Sequence, residues 1–202
     1  MNRNIFIIVI YGVVFFIFLA FWEFFNTANF FTQSARDFYF TFYTFIELFF
    51  FSLIYYLNIK NKVFKRVNAI IFLLFTLFEI LYFFNVQVRV LDGIPIGIET
   101  VVVFVYIFYF FYEYFMTISH EYVYDNYCFW ISIGIMIYLG SSFFVYILSD
   151  HLPKDERIKF LNLSYVMETV KNILFVVAIV VATRQNSKQK IPNQNIPYLD
   201  FN

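Results

Sequence analysis

One cysteine, two histidines, four prolines and five glycines are all that 202 residues hold of those types, and only 14% of the chain is charged. Each shortage excludes something. The lone Cys128 cannot form an internal disulfide, and within the apolar run from Tyr127 to Leu148 it reads as a small buried side chain. His120 and His151 fall on opposite sides of the helical arrangement derived below, so no shared metal or haem site is expected. The chain contains no glycine-rich phosphate loop, no H-E-x-x-H and no G-x-S-x-G. Catalysis would have to rest on carboxylates alone, and the expectation is a non-enzymatic protein without cofactor. Lys and Arg balance Asp and Glu at net charge zero, with a pI near 6.7. No basic field is left to attract nucleic acid.

What the chain has in excess is apolar surface. Hydrophobic residues make up 62% of it, Phe contributes 33 and Tyr 17, and the mean hydropathy is +0.72. A soluble domain of this composition would expose too much apolar area to water. The codons for Phe, Tyr, Ile, Asn and Lys are AT-rich, so the aromatic weight points to an AT-rich genome before it points to a role.

A helix crosses a hydrocarbon core of about 30 Å with about 20 mostly apolar residues, its backbone polar groups satisfied internally. Six segments meet that test, at about 5–22, 38–59, 67–86, 96–116, 127–148 and 165–183. The fold class expected is all-α, a polytopic bundle of six transmembrane helices over residues 1–184, followed by a polar tail at 185–202. Arg3 ahead of the first apolar stretch could open a signal peptide, but the stretch is too long and no A-x-A-like site follows. An uncleaved helix is the reading.

Orientation follows from the basic residues of the connections, which favour the cytoplasmic side. With the amino terminus inside, the inner side collects Arg3, Lys60, Lys62, Lys65, Arg66, Arg184, Lys188 and Lys190, and the outer side Arg36, Arg89, Lys154, Arg157 and Lys159. Both termini are therefore expected in the cytoplasm. Among the connections, Glu23 to Asp37 reads as a segment lying in the interface, and the stretch after Pro153 as a short surface helix. The tail has the composition of a disordered segment, ending in I-P-Y-L-D-F-N, which is apolar enough to dock as an extended peptide.

Ionisable residues inside the apolar runs carry the functional signal, because a charge at mid-membrane costs several kcal/mol and faces protein or water. Glu47 and Glu79 lie within the second and third runs, at about 12 to 14 Å from one face by helical rise. Glu99 lies early in the fourth, and Glu168 and Lys171 early in the sixth. All five fall in one half of the membrane, the outer half in the preferred orientation. With Thr44 and Asn172 they are expected to line a shallow polar pocket for a ligand or a partner. A packing reading stands beside this one: Lys171 pairs with Glu168 or Glu47 to tie helices together, and the carboxyls bond to Tyr or Thr hydroxyls. Glu113 is expected to snorkel to the interface. Gly93 and Gly97 bracket Pro95 at a helix entrance, a poor dimerisation face, whereas Gly134, Gly140, Ser141 and Ser142 offer a small surface for a neighbouring helix.

Three stretches carry a resemblance: Y-T-F-I-E-L-F-F-F-S-L-I-Y-Y from Tyr43, V-F-V-Y-I-F-Y-F-F-Y-E-Y-F from Val103, and above all F-W-I-S-I-G-I-M-I-Y-L-G-S-S-F-F from Phe129. Over about Phe38 to Thr183 the chain resembles a group of small polytopic inner-membrane proteins of Bacteroidota, with one helix fewer at its amino end. The resemblance implies a multi-helix protein of the bacterial inner membrane with a sensory or accessory role. An organelle inner membrane is the alternative location, given the composition. The function expected is a receptor-like or accessory subunit that meets the lipid bilayer, other membrane chains and a small ligand. A small transporter or channel and a structural subunit of a larger complex are the alternatives.

Overall fold

A computed structural model describes residues 3–27, 32–85, 93–117, 122–149 and 153–189. These form α1 (Arg3–Thr27), α2 (Gln33–Asn58), α3 (Lys62–Asn85), α4 (Gly93–Thr117), a single 3-10 turn at Val123–Asp125, α5 (Tyr127–Ser149) and α6 (Lys154–Gln189). Six helices are long and apolar enough to cross a bilayer, and no strand occurs among the described residues.

Polar residues set several helix starts. The Thr32 hydroxyl accepts from the Ala35 amide at 3.3 Å, so α2 begins ahead of its apolar run. Asn61 caps α3, accepting from the Val63 amide at 2.8 Å and the Phe64 amide at 3.3 Å, and Asn126 accepts from the Cys128 amide at 2.8 Å at the start of α5. Pro95 sits inside the first turn of α4, where its missing N–H leaves no intrahelical bond unmade. The stretch after Pro153 does not form a separate surface helix. It is the first part of α6, which continues unbroken to Gln189. Of the connection expected to lie in the interface, residues 23–27 and 33–37 are helical, and 28–31 lie outside the described residues. The I-P-Y-L-D-F-N end, His120 and His151 lie outside the described residues.

The helices α1, α2, α4, α5 and α6 close a ring, each packed on its neighbours, and α3 rides outside against α2 and α4. α5 and α6 make the most intimate pair. At Gly134 an added Cβ would stand 3.3 Å from Leu174 Cβ and 3.4 Å from the Lys171 carbonyl, a tight fit that glycine relieves. Gly93 and Gly97 face Tyr146 and Phe143 of α5, which assigns the G-x-x-x-G to packing within the chain.

The bundle is inside out relative to a soluble protein. Its outward faces carry Phe16, Leu73, Leu74, Leu77, Phe84, Val101 and Phe108, while Glu47, Asn68, Glu79, Glu99, Ser132 and Lys171 are buried. Hydrocarbon is the solvent this surface fits. On α1, whose span Ile5–Trp22 carries no charge, the inner face is formed by Ile8, Tyr11 and Phe15.

Candidate functional site

Each polar residue of the interior lies on the buried stripe of its own helix. On α2 the stripe is Thr44, Glu47, Leu48, Phe51, Ser52 and Tyr55, and on α6 it is Ser164, Lys171, Phe175, Ala178 and Ala182. Such spacings keep side chains on one face of a 3.6-residue helix. The ring then brings the stripes of α1, α2, α5 and α6 together around one ammonium.

Lys171 is 1% exposed and Glu47 2%. The Lys171 Nζ donates to the Tyr11 hydroxyl at 2.8 Å and lies 3.5 Å from Glu47 Oε1. Tyr11 passes its own proton donor to Glu47 Oε1 at 3.2 Å, and Tyr138 donates to Glu47 Oε2 at 3.1 Å. The Tyr43 and Tyr138 hydroxyls meet at 3.2 Å. The ammonium also stands 3.8 Å from the centroid of the Tyr138 ring, with the Tyr11 and Phe15 rings at 5.3 and 5.4 Å. Both charges are therefore bonded as well as paired, which is the condition under which a buried ion pair survives desolvation. The sequence reading that Lys171 pairs with Glu168 or Glu47 resolves to Glu47, through a tyrosine.

Depth separates the sequence-predicted residues into tiers. Within its span Phe38–Asn58, Glu47 is close to the midpoint, and Lys171 lies about 13 Å from the Asn162 end of its own. Glu79, Glu99 and Glu168 are shallower, each about 9 Å in from the end opposite the basic α2–α3 turn. All five thus stay in one half of their spans, as expected, while Glu79 lies shallower than the depth expected for it beside Glu47. Among the described residues, Glu79, 4% exposed, has no hydrogen-bond partner for either carboxylate oxygen, and Glu99, 1% exposed, has none for Oε1. Glu99 lies within Coulombic reach of Glu79, Glu47 and Lys171. The buried hydroxyl of Ser164, near the same end of α6, likewise finds no partner among the described residues. Glu168 is half-buried.

Two expected pocket residues do not line the cluster. Asn172 is exposed, since it follows Lys171 by one residue and so points about 100° around the helix. Thr44 is buried, but its hydroxyl is spent on the Phe40 carbonyl of its own helix at 3.2 Å. Glu113 does more than snorkel: its two oxygens accept from the Lys60 and Asn61 amides at 2.8 Å each, fastening the α2–α3 turn to the end of α4.

Sequence reasoning missed a third tier, toward the basic face. Ser52 donates to the Asn68 side chain, Asn68 Nδ2 donates to the Ser52 carbonyl at 3.2 Å, and Tyr106 donates to the Asn68 carbonyl at 3.4 Å. Tyr55 meets Ser132 at 2.9 Å, and Tyr127 donates to Asn58. The tyrosines were hidden by their number. Their positions on buried stripes, such as Tyr11 between Ile8 and Phe15, were the available signal.

This fold and interior define a multi-pass helical membrane protein with a polar core. Comparison with known proteins finds no family model, no curated protein and no solved structure that matches the chain. Among the described residues, no group of three or more His, Cys, Asp or Glu comes together to hold a metal ion.

Proposed function

We propose that the chain acts as a non-enzymatic, receptor-like or accessory component of a membrane, receiving a ligand or a partner's side chain in the half opposite its basic turn. The observation that carries this reading is the pair Glu79 and Glu99: among the described residues, neither buried oxygen of Glu79 and not Oε1 of Glu99 finds a hydrogen-bond partner. A buried polar group without a partner is costly, so natural proteins rarely keep one idle. The Lys171–Glu47 pair fits the role of scaffold, because four helices already satisfy it. The basic turn with Lys60, Lys62, Lys65 and Arg66 favours a cytoplasmic location for that face, and thus an outward-facing pocket. The resemblance to small inner-membrane proteins of Bacteroidota points to the same class of role.

The test is recovery from the native membrane in mild detergent, followed by identification of co-purifying chains and small molecules by mass spectrometry. Wild type is expected to retain a component that Glu79→Gln and Glu99→Gln lose. Equal recovery from all three would defeat the reading.

A small transporter is the second reading, favoured by the polar tier around Asn68, Ser52 and Tyr106, which places hydrogen-bonding groups in the half where the sequence offered few. Ion or solute flux in proteoliposomes discriminates between the two.

A further inference from the structure

The turn between α2 and α3 gathers Lys60, Lys62, Lys65 and Arg66. Lys65 is half-buried and the other three are exposed. Among the described residues the ion pair found is that of Lys171 and Glu47, so none of these four side chains faces a carboxylate at pairing distance. Glu113, the carboxylate fastened to the turn, spends both oxygens on the Lys60 and Asn61 amides. In sequence, the termini and connections of that side add Arg3, Arg184, Lys188 and Lys190 against Glu121, Asp125 and Asp200. The positive sign therefore survives the full count. Nor is the start of α3 open to an anion: Asn61 accepts from the Val63 and Phe64 amides through its side chain and from the Lys65 amide through its carbonyl, at 3.1 Å. An anion at this turn is met by side chains.

The seam below the turn narrows the kind of anion. Lys65 Nζ lies 5.2 Å from the centroid of the Tyr56 ring, a cation–π contact between α3 and α2. Seven residues further along α3 and seven back along α2, the Phe72 and Phe49 rings meet at 5.8 Å, and Phe72 also meets Phe45 at 5.6 Å. Seven residues are about two helical turns, so the aromatic contact lies about 10 Å below the cationic one on the same seam. Tyr56 is 42% exposed and Phe49 41%, which leaves the seam open toward lipid. By helical rise Lys65 and Tyr56 stand about 3–5 Å inside the Lys62 and Asn58 ends of their spans, whereas Phe49 and Phe72 stand about 15 Å inside, the depth of one leaflet. A soluble acidic peptide could reach the turn but not the seam. A lipid with an anionic headgroup meets both.

We infer that the α2–α3 seam binds an anionic phospholipid, its phosphate held by Lys62, Lys65 and Arg66 and one acyl chain laid from Tyr56 down to Phe49 and Phe72. The three cations recur at i, i+3 and i+4 of the first turns of α3, so they share a face at the level of the headgroups. This site lies at the end of the bundle opposite Glu79 and Glu99 and does not depend on the receptor-like reading. It also gives α3 a further tie, since that helix stands outside the ring and packs on α2 and α4 alone.

The experiment uses the full chain in mild detergent, equilibrated with equal amounts of phosphatidylglycerol and phosphatidylcholine of identical acyl chains, with retained lipid counted by native mass spectrometry. Wild type is expected to keep several-fold more phosphatidylglycerol than phosphatidylcholine, and the Lys62→Gln, Lys65→Gln, Arg66→Gln triple variant to keep the two about equally. Arg184→Gln, which removes an exposed cation on the same side from α6, should retain the preference. Tyr56→Ala should lower retention of both lipids, and glycerophosphate, which has no acyl chain, should displace neither. If the triple variant melts below wild type in phosphatidylcholine nanodiscs, the exposed Arg66→Gln alone carries the test, with a smaller loss of preference. Equal retention of the two lipids by wild type would overturn the site. So would a loss in Arg184→Gln as large as in the triple variant, which would mean diffuse surface charge. Displacement of the lipid by glycerophosphate or by a polyglutamate peptide would reassign the turn to a soluble anion and overturn the lipid seam.

Discussion

The ammonium of Lys171 lies nearer to the hydroxyl of Tyr11, at 2.8 Å, than to the carboxylate of Glu47, at 3.5 Å. Tyr11 is thus an inserted relay between two opposite charges, donating to one and accepting from the other. This links α1, the most uniformly apolar helix, to a polar centre it has no charge of its own to join. The tie also explains why the centre is a scaffold: removing any one member strands a buried group that the others were satisfying.

Replacing Lys171 by Met should destabilise the bundle by about 3–5 kcal/mol, because Glu47 would be left buried and unpaired. Adding Glu47→Gln to it should recover much of the loss. Unfolding of both variants in a denaturing-detergent titration measures the difference, and a double variant as unstable as Lys171→Met would disprove the pairing. Tyr11→Phe should cost less, about 1–2 kcal/mol, as one hydroxyl is lost and both charges remain.

The Asn68 side chain should matter in spite of its distance from every carboxylate. Asn68→Leu removes the bonds to Ser52 and should cost about 1–2 kcal/mol, near the upper part of the range for interhelical bonds in membranes. A double-mutant cycle with Ser52→Ala should show coupling between the two positions. Additive losses would mean that the residues act independently.

Glycines give a contrasting pair. Gly134→Leu should lower the melting temperature sharply, since even a Cβ there crowds the Lys171 backbone and the Leu174 Cβ, with overpacking costing about 1–3 kcal/mol or more. Gly12 has nothing within 4 Å of an added Cβ and sits on an exposed face of α1. Gly12→Ala should therefore be neutral or stabilise by up to about 1 kcal/mol. Equal behaviour of the two would show that the close α5–α6 approach is not a constraint.

Glu113 should control the exposed α2–α3 turn. Glu113→Ala frees the amides of Lys60 and Asn61, and hydrogen exchange at those two positions should accelerate, with faster tryptic cleavage after Lys60 and Lys62. Unchanged exchange would mean that Asn61 alone holds the turn.

The amino-acid sequence by itself determined the solvent and the class of fold. Runs of apolar residues long enough to span a bilayer fix helices there, because hydrocarbon leaves backbone groups no partner outside the helix. It also marked Glu47, Glu79, Glu99, Glu168 and Lys171, since an ionisable side chain in such a run is rare enough to stand out. Its limits lay in what periodicity does not encode when nearly every residue is apolar. Asn172 and Lys171 are adjacent in the chain and equally polar, yet one faces outward and the other the core, and no amphipathic contrast separates them. The apolar spans were legible, but the helices run past them, as at Gln33 and Lys154, where a cap and charged residues extend a helix beyond its greasy part. Only the tertiary structure decided which helices face each other, and so that Lys171 meets Tyr11 and Glu47 while, among the described residues, Glu79 meets no donor at either oxygen and Glu99 none at Oε1. Partners more than thirty residues apart are chosen by how the helices pack, and no local rule of spacing reaches that far.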